Sequence, residues 1–267
     1  MNTKINDKNQ ALSVGRQENL MKENEVMYRL GVHFGYSKSS SNPKMKPYLF
    51  GVRNNIAIFD LGKVLECLEK AEDFLEDLGS KKSKILFVAT KPEARDLIEK
   101  AGRELGMPYI VERWLGGTLT NFNSIKKRID YFKDLQSKKA SGGFSEYIKK
   151  EAMKLEKKLL KMEKYFGGLQ TLSEKPSAII VVDSKKESSA VAEAKKIGIP
   201  TVAVMNSDCE PADIEYPVPG NDVATSSIEY FLEKFVDAYK KGLGASPKAG
   251  VEKEKKEGDK KEKKGDN

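Results

Sequence analysis

The chain has 267 residues, enough for one large α/β domain or two small ones, and either can bury a real core. Hydrophobic residues make up 39% and charged residues 33%, with a mean hydropathy of −0.57, which points to a modest core carrying long solvated helices and tails. A net charge of +8 favours a polyanionic partner, and no apolar run approaches the roughly 20 residues of a spanning helix, so nucleic acid is favoured over a membrane.

The segment 1–24 is polar and mixes Asp7, Glu18 and Glu23 with its lysines. It lacks the apolar stretch of a secretory signal, and its acids argue against a transit peptide, so it reads as a disordered leader. Cys67 and Cys209 lie far apart and offer neither a disulfide framework nor a CxxC zinc site, as in a cytoplasmic, reduced protein. Glu23 to Leu30 is expected as a short helix. A glycine-punctuated loop follows, from Gly31 through Gly35 and Ser39-Ser40-Ser41 to Asn42-Pro43-Lys44-Met45-Lys46-Pro47. Tyr48 to Val52 and Ile56 to Asp60 are expected as strands around the turn Arg53-Asn54-Asn55.

Leu61 to Gly79 is expected as a helix, with Val64, Leu65, Leu68, Ala71, Leu75 and Leu78 on one face and Gly79 as its stop. Lys84 to Thr90 is almost continuously apolar, as suits a parallel strand covered on both faces. Pro92 opens a helix ending near Gly106, and Tyr109-Ile110-Val111 is a strand. The next stretch, Arg113-Trp114-Leu115-Gly116-Gly117-Thr118-Leu119-Thr120-Asn121, holds the single Trp and marks a hinge at Trp114, Gly116 and Gly117.

Beyond the hinge the apolar rhythm changes. Phe122, Ile125, Ile129 and Phe132, then Ile148, Ala152, Leu155, Leu159, Met162, Phe166 and Leu169, follow a three-four spacing. That spacing predicts two helices joined by Ser141-Gly142-Gly143 and packed on an a/d seam. Ala178 to Val182 is a strand, Glu187 to Ile197 a helix stopped by Gly198, and Thr201 to Met205 a strand. A Tyr216-Pro217-Val218-Pro219 segment leads to Asn221, an expected N-cap for a last helix reaching about Tyr239. From Gly242 on, eight lysines alternate with six acids in a tail expected to be disordered.

The alternation of strand and helix predicts a parallel, doubly wound sheet. The division is a discontinuous α/β domain over 25–121 and 170–241, an inserted helical hairpin over 122–169, and a tail over 242–267.

Nothing assembles chemistry. Lys38 follows Gly35 by three residues, which breaks the Walker spacing, and Gly62-Lys63-Val64 lacks the hydroxyl. His33 is the sole histidine and sits in a loop, where it reads as a packing residue rather than a base. Asp60 and Asp183 end strands, where they read as helix or turn starters. No metal-ligand spacing is present, and no cofactor or small-molecule substrate is implied.

Cations are better placed for contact with a polyanion, a nucleic acid or an acidic protein, although Lys-rich helix flanks are also often simply solvated. Lys44, Lys46, Arg53 and Arg113 lie on semi-rigid loops, and Lys126, Lys127 and Arg128 open the first helical arm. The second arm carries Lys149, Lys150, Lys154, Lys157, Lys158, Lys161 and Lys164. Trp114 reads more readily as a buried anchor than as a base-stacking platform.

Five motifs, in order, resemble those of the bacterial small-subunit ribosomal protein S-two family. They are Gly31-Val32-His33-Phe34-Gly35, Asn42 to Tyr48, Arg113 to Gly117 with Leu119-Thr120-Asn121, Val181-Val182-Asp183, and Pro219-Gly220-Asn221-Asp222 with Ser227-Ile228. The resemblance runs from about Gly31 to Tyr239. It implies a flavodoxin-like sheet with an inserted antiparallel coiled-coil hairpin, in a non-catalytic constituent of the 30S subunit. The implied partners are 16S-type ribosomal RNA, contacted by the cations above and Asn121, and neighbouring proteins including the large OB-repeat ribosomal protein. The sequence departs from the family at Tyr36 and Ser39-Ser40-Ser41, which removes cations from that loop, and at Met205-Asn206-Ser207-Asp208. The rival readings are a protein-only coiled-coil adaptor and a flavodoxin-like nucleotide- or cofactor-binding enzyme.

Overall fold

The computed structural model describes residues 20–244, so the expectations for 1–19 and 245–267 lie outside the described residues. Helix α1 spans 20–29, which carries helical structure into the segment expected as leader. Its Met27 is fully buried, and Glu23 accepts a hydrogen bond from the Tyr230 hydroxyl at 2.9 Å and pairs with Lys234 at 2.5 Å.

A small antiparallel sheet comes next, in the order β1-β3-β2: β1 Phe34–Ser37, β2 Leu49–Arg53 and β3 Ile56–Phe59. Asn54 and Asn55 both have positive φ, 50° and 63°, so β2 and β3 are joined by the mirror-image turn whose twist suits a hairpin. Strand β1 was expected as loop. It carries no alternating apolar signal; it pairs with β3 across an irregular register, and its Tyr36 amide donates outside the sheet, to Asn206 Oδ1 at 3.1 Å and Ser207 Oγ at 2.9 Å.

The main sheet has the order β5-β4-β6-β7-β8 and is parallel throughout. Its strands are β4 Ile85–Val88, β5 Tyr109–Ile110, β6 Ala178–Val182, β7 Thr201–Met205 and β8 Tyr216–Pro219. Every residue of β4, β6 and β7 is buried, as their unbroken apolar runs require. Pro217 and Pro219 sit on the edge strand, where a missing amide is tolerated.

The helices are α2 Leu61–Ser80, α3 Pro92–Leu105, α4 Phe122–Ala140, α5 Lys149–Phe166, α6 Ser188–Ile197 and α7 Thr225–Gly244. The chain moves outward from β4 to β5 through α3, then in the opposite direction from β6 to β7 through α6. Right-handed crossovers therefore put α3 and α6 on opposite faces of the sheet.

Three further expectations change. Gly79 does not stop α2; a Cβ there would lie 2.2 Å from the Tyr239 carbonyl oxygen, and one on Gly242 would lie 2.0 Å from that of Glu76. The two glycines let α2 and α7 meet backbone to backbone. Asn221 does not cap α7 directly: its Oδ1 accepts from the amides of Val223 and Ala224, closing a turn ahead of Thr225. Ile148 leaves the seam expected on α5. It precedes the helix in an extended conformation and is 75% exposed, while Leu159, Phe166 and Leu169 are buried.

Helices α4 and α5 run antiparallel. Lys158 Nζ donates to the Tyr131 hydroxyl at 2.8 Å, and Leu155 faces a hollow shared with Leu135 and Lys138. Their buried residues join the common core that includes Phe87, Val181 and Phe231.

Candidate nucleic-acid interface

The loop from Glu112 to Asn121 leaves the carboxyl end of β5 and enters α4. Its backbone is fixed from outside by one side chain, Glu193 on α6. Glu193 Oε1 accepts from Trp114 Nε1 at 3.0 Å and the Gly117 amide at 2.7 Å. Glu193 Oε2 accepts from the Leu119 amide at 3.0 Å, the Thr120 amide at 3.1 Å and the Thr120 hydroxyl at 3.0 Å. Burial raises the carboxyl's pKa, but these donors outweigh it, Trp114 foremost, and the net shift is downward.

Trp114 is buried, as the anchor reading requires, while Arg113 beside it is exposed. Gly117 has φ +89°, a left-handed conformation that an L side chain rarely adopts, and Leu119 is fully buried beneath it. Gly116 differs: its φ is not positive and a Cβ there would meet nothing within 4 Å. The steric need for glycine therefore falls on one of the pair.

Arg113, Asn121, Lys126, Lys127 and Arg128 are all exposed at this loop and the first turns of α4. Arg113, Lys126, Lys127 and Arg128 form no ion pair with another described residue. Lys44 and Lys46 lie on a separate turn, Pro43–Tyr48, plugged by the fully buried Met45 and started by Asn42, whose side chain accepts from the Lys44 amide. That turn is tied to the loop after β7, since the Asn42 amide donates to the Ser207 carbonyl at 2.7 Å and Lys44 pairs with Glu210 at 3.1 Å. Lys44 is thus partly engaged, whereas Lys46 and Arg53 are exposed.

Two groups, Arg113 with the α4 cations and Lys44 with Lys46, share the carboxyl edge of the parallel sheet, whereas Arg53 ends β2 of the small sheet. One follows β5 and the other is anchored behind β7, three strand spacings away, or about 15 Å. That is the edge along which open α/β sheets place their binding sites.

Residues 27–242 match the family model described as Ribosomal protein S2. The chain belongs to that family. It is 44% identical over 212 residues to a protein of Geotalea uraniireducens named small ribosomal subunit protein uS2, covering 79% of this chain and 83% of that one. A Sorangium cellulosum protein of the same name is 41% identical over 212 residues, with 79% and 76% covered. Ribosomal protein S2 is a structural, non-enzymatic constituent of the small ribosomal subunit that binds ribosomal RNA and neighbouring ribosomal proteins, and neither rival reading is supported.

Within this S2 fold the crevice between β4 and β6, where the direction of winding reverses, is filled by the protein itself. Lys91 Nζ lies 2.9 Å from Asp183 Oδ2, 2.8 Å from Asp222 Oδ2 and 3.2 Å from the Tyr36 hydroxyl. Burial works against the ammonium, but the two carboxylates overcome it and hold its pKa above the usual lysine range. Asp183, read as a turn starter, does accept from the Lys186 amide at 3.0 Å, and this ion pair is its second role. Asp60 caps α2 through the Gly62 amide. His33 is buried between the rings of Tyr28 and Phe34, at 4.5 and 4.0 Å.

Sequence reading missed Glu193 and Lys91. The available signal for Glu193 was a carboxylate beside the buried Ala190 and Ala194 on a short helix. For Lys91 it was a lysine set directly between a buried strand and Pro92, with no water-filled face to occupy.

Proposed function

We propose that the carboxyl edge of the main sheet is the face this S2 protein lays against ribosomal RNA. Arg113, Asn121, Lys126, Lys127 and Arg128 form one contact, Lys46 and the half-engaged Lys44 form the other, and Arg53 adds a cation from the small sheet. The observation that carries this is the exposed, unpaired Arg113 on a backbone fixed by Glu193: a pre-positioned cation loses little freedom on meeting a phosphate. These cations position the protein rather than read sequence. In this reading 25–121 and 170–241 act as the RNA-binding body, and the α4–α5 insertion over 122–169 extends contacts to RNA or a neighbouring protein. Co-sedimentation with small subunits across a salt series tests it: alanine at Arg113 and Lys126 should weaken binding and flatten its salt dependence. Unchanged binding at every salt concentration would reject these residues.

The protein neighbours in this proposal include the large OB-repeat ribosomal protein. A groove of about 590 Å³ on the small sheet is lined by Tyr28, Phe34, Phe50, Val52 and Ile56, with His33, Arg53 and Asn54 at its polar side, and Phe50 is 82% exposed. An apolar face of this kind suits a protein better than RNA. Serine at Phe50 and Val52 should release that protein from purified subunits while leaving RNA binding intact.

A further inference from the structure

The amides of Gly117, Leu119 and Thr120, with the Thr120 hydroxyl and the Trp114 indole N–H, converge on one point. Successive backbone N–H groups curled around a point make a cradle for an anion, the arrangement that other folds use to grip phosphate. Here the cradle already holds one, the Glu193 carboxylate, carried in from a helix 73 or more residues away in sequence.

We propose that Glu193 is a positioning residue for RNA contact: a built-in anion whose charge sets the conformation of the Arg113–Asn121 loop and so the direction in which Arg113 and Asn121 present themselves. The proposal rests on the RNA-contact reading above and names the residue on which that reading depends.

Three observations support it. Beyond the ion pairs of Glu112 with Arg95 and Lys164 at its start, the loop has little else to hold it. Its internal bonds are the short-range turns from Thr118 to Leu115 and from Asn121 to Gly117, with Leu119 and Trp114 as apolar anchors. The donors divide between the two carboxylate oxygens, Oε1 taking Trp114 and Gly117 and Oε2 taking Leu119 and Thr120. A carboxylate satisfies both sets, whereas an amide has one acceptor oxygen and turns an NH₂ toward the other set. Finally, Arg113 and Asn121, which reach solvent, directly flank the held residues Trp114 and Thr120, so a change in the cradle is passed directly to them.

The experiment uses the full chain and a small-subunit RNA fragment, with four variants: Glu193→Gln, Glu193→Ala, Arg113→Ala and the Glu193→Gln/Arg113→Ala pair. Because the chain has one tryptophan, the Trp114 indole N–H resonance reports the cradle directly. Glu193→Gln should shift that resonance and weaken RNA binding about tenfold, with far-ultraviolet circular dichroism unchanged. In the double variant the loss should be no greater than in the worse single variant, because Glu193 acts through Arg113 and its neighbours. Formate or acetate added to Glu193→Ala should restore binding and the resonance position, a recovery that a merely structural defect would not give.

Losses that add in the double variant, or a Glu193→Gln protein that binds as tightly as wild type while Arg113→Ala does not, would overturn the proposal. If Glu193→Ala fails to fold, the isosteric Gln series decides alone. Arg113→Ala without effect on binding would remove the underlying RNA reading, and the positioning role with it.

Discussion

Lys91 reaches across the head of the main sheet to Asp222, Nζ to Oδ2 2.8 Å, and the same ammonium lies 2.9 Å from Asp183. Asp222 is fully buried and also accepts from Asn206 Nδ2 at 2.7 Å. One lysine thus joins the ends of β4 and β6, the loop after β8 and, through Tyr36, the small sheet. Lys91→Met removes the cation and leaves two carboxylates facing each other out of water. The expected loss is about 3–5 kcal/mol in urea unfolding, because an orphaned buried charge is worse than no charge. Adding Asp183→Asn and Asp222→Asn to Lys91→Met should recover much of it.

Stability should fall in mild acid because of His33. Burial alone lowers its pKa below the ordinary 6.5, so the folded protein prefers the neutral ring. For a depressed value the contribution is present above the unfolded pKa and is lost as pH drops through the folded one. The urea midpoint should therefore decline from about pH 6.5 downward. His33→Gln should flatten that decline between pH 7 and 5; an unchanged profile would clear His33 of the effect.

The two glycines of the loop should separate sharply. Gly117→Ala forces a side chain into φ +89° with Asn121 Cβ 3.2 Å away and should cost about 1–2 kcal/mol in thermal unfolding. Gly116→Ala meets open space and should be neutral or slightly stabilising.

Helix packing through glycine gives a fourth stability test. Gly79→Ala would drive a methyl group into the Tyr239 carbonyl region, and α2 must then move off α7. A loss of about 1–3 kcal/mol is expected, with a similar loss for Gly242→Ala. Calorimetry of the two single variants and the pair should show that the second substitution adds little once the helices have separated.

On the functional side, alanine at Lys126, Lys127 and Arg128 together should lower the slope of log affinity against log salt by about two to three units, near one for each phosphate no longer neutralised. A parallel shift of the whole curve without a slope change would mean that these side chains do not meet phosphates.

What the sequence made legible was whatever a periodic apolar pattern encodes. Strands β4, β6 and β7 are runs with no polar interruption, and the face of α2 from Val64 to Leu78 is buried residue by residue as its spacing demands. Strand β1 escaped because it pairs irregularly with β3 and its Tyr36 amide is satisfied by Asn206 and Ser207, some 170 residues onward, which no local pattern announces. Ile148 fits the heptad arithmetic but sits one residue before its helix, where the phase of the repeat no longer applies. The candidate interface was legible as motif and charge, in Arg113, Lys126 and their neighbours. The residue that sets its shape, Glu193, was hidden, because a single carboxylate on a short amphipathic helix is ordinarily a solvated surface group.

The α4–α5 excursion begins and ends against one strand. It departs just after Tyr109-Ile110 and returns so closely that a Cβ on Gly168 would lie 2.4 Å from the Tyr109 carbonyl oxygen. With both feet clamped at β5, the sheet registers only that the chain comes back, and the entropy of closing such a detour grows slowly with its length. Whole helical turns added to or taken from α4 and α5 should therefore leave the alignment of β5, β4 and β6 as it is, so the length of this excursion is set independently of the sheet.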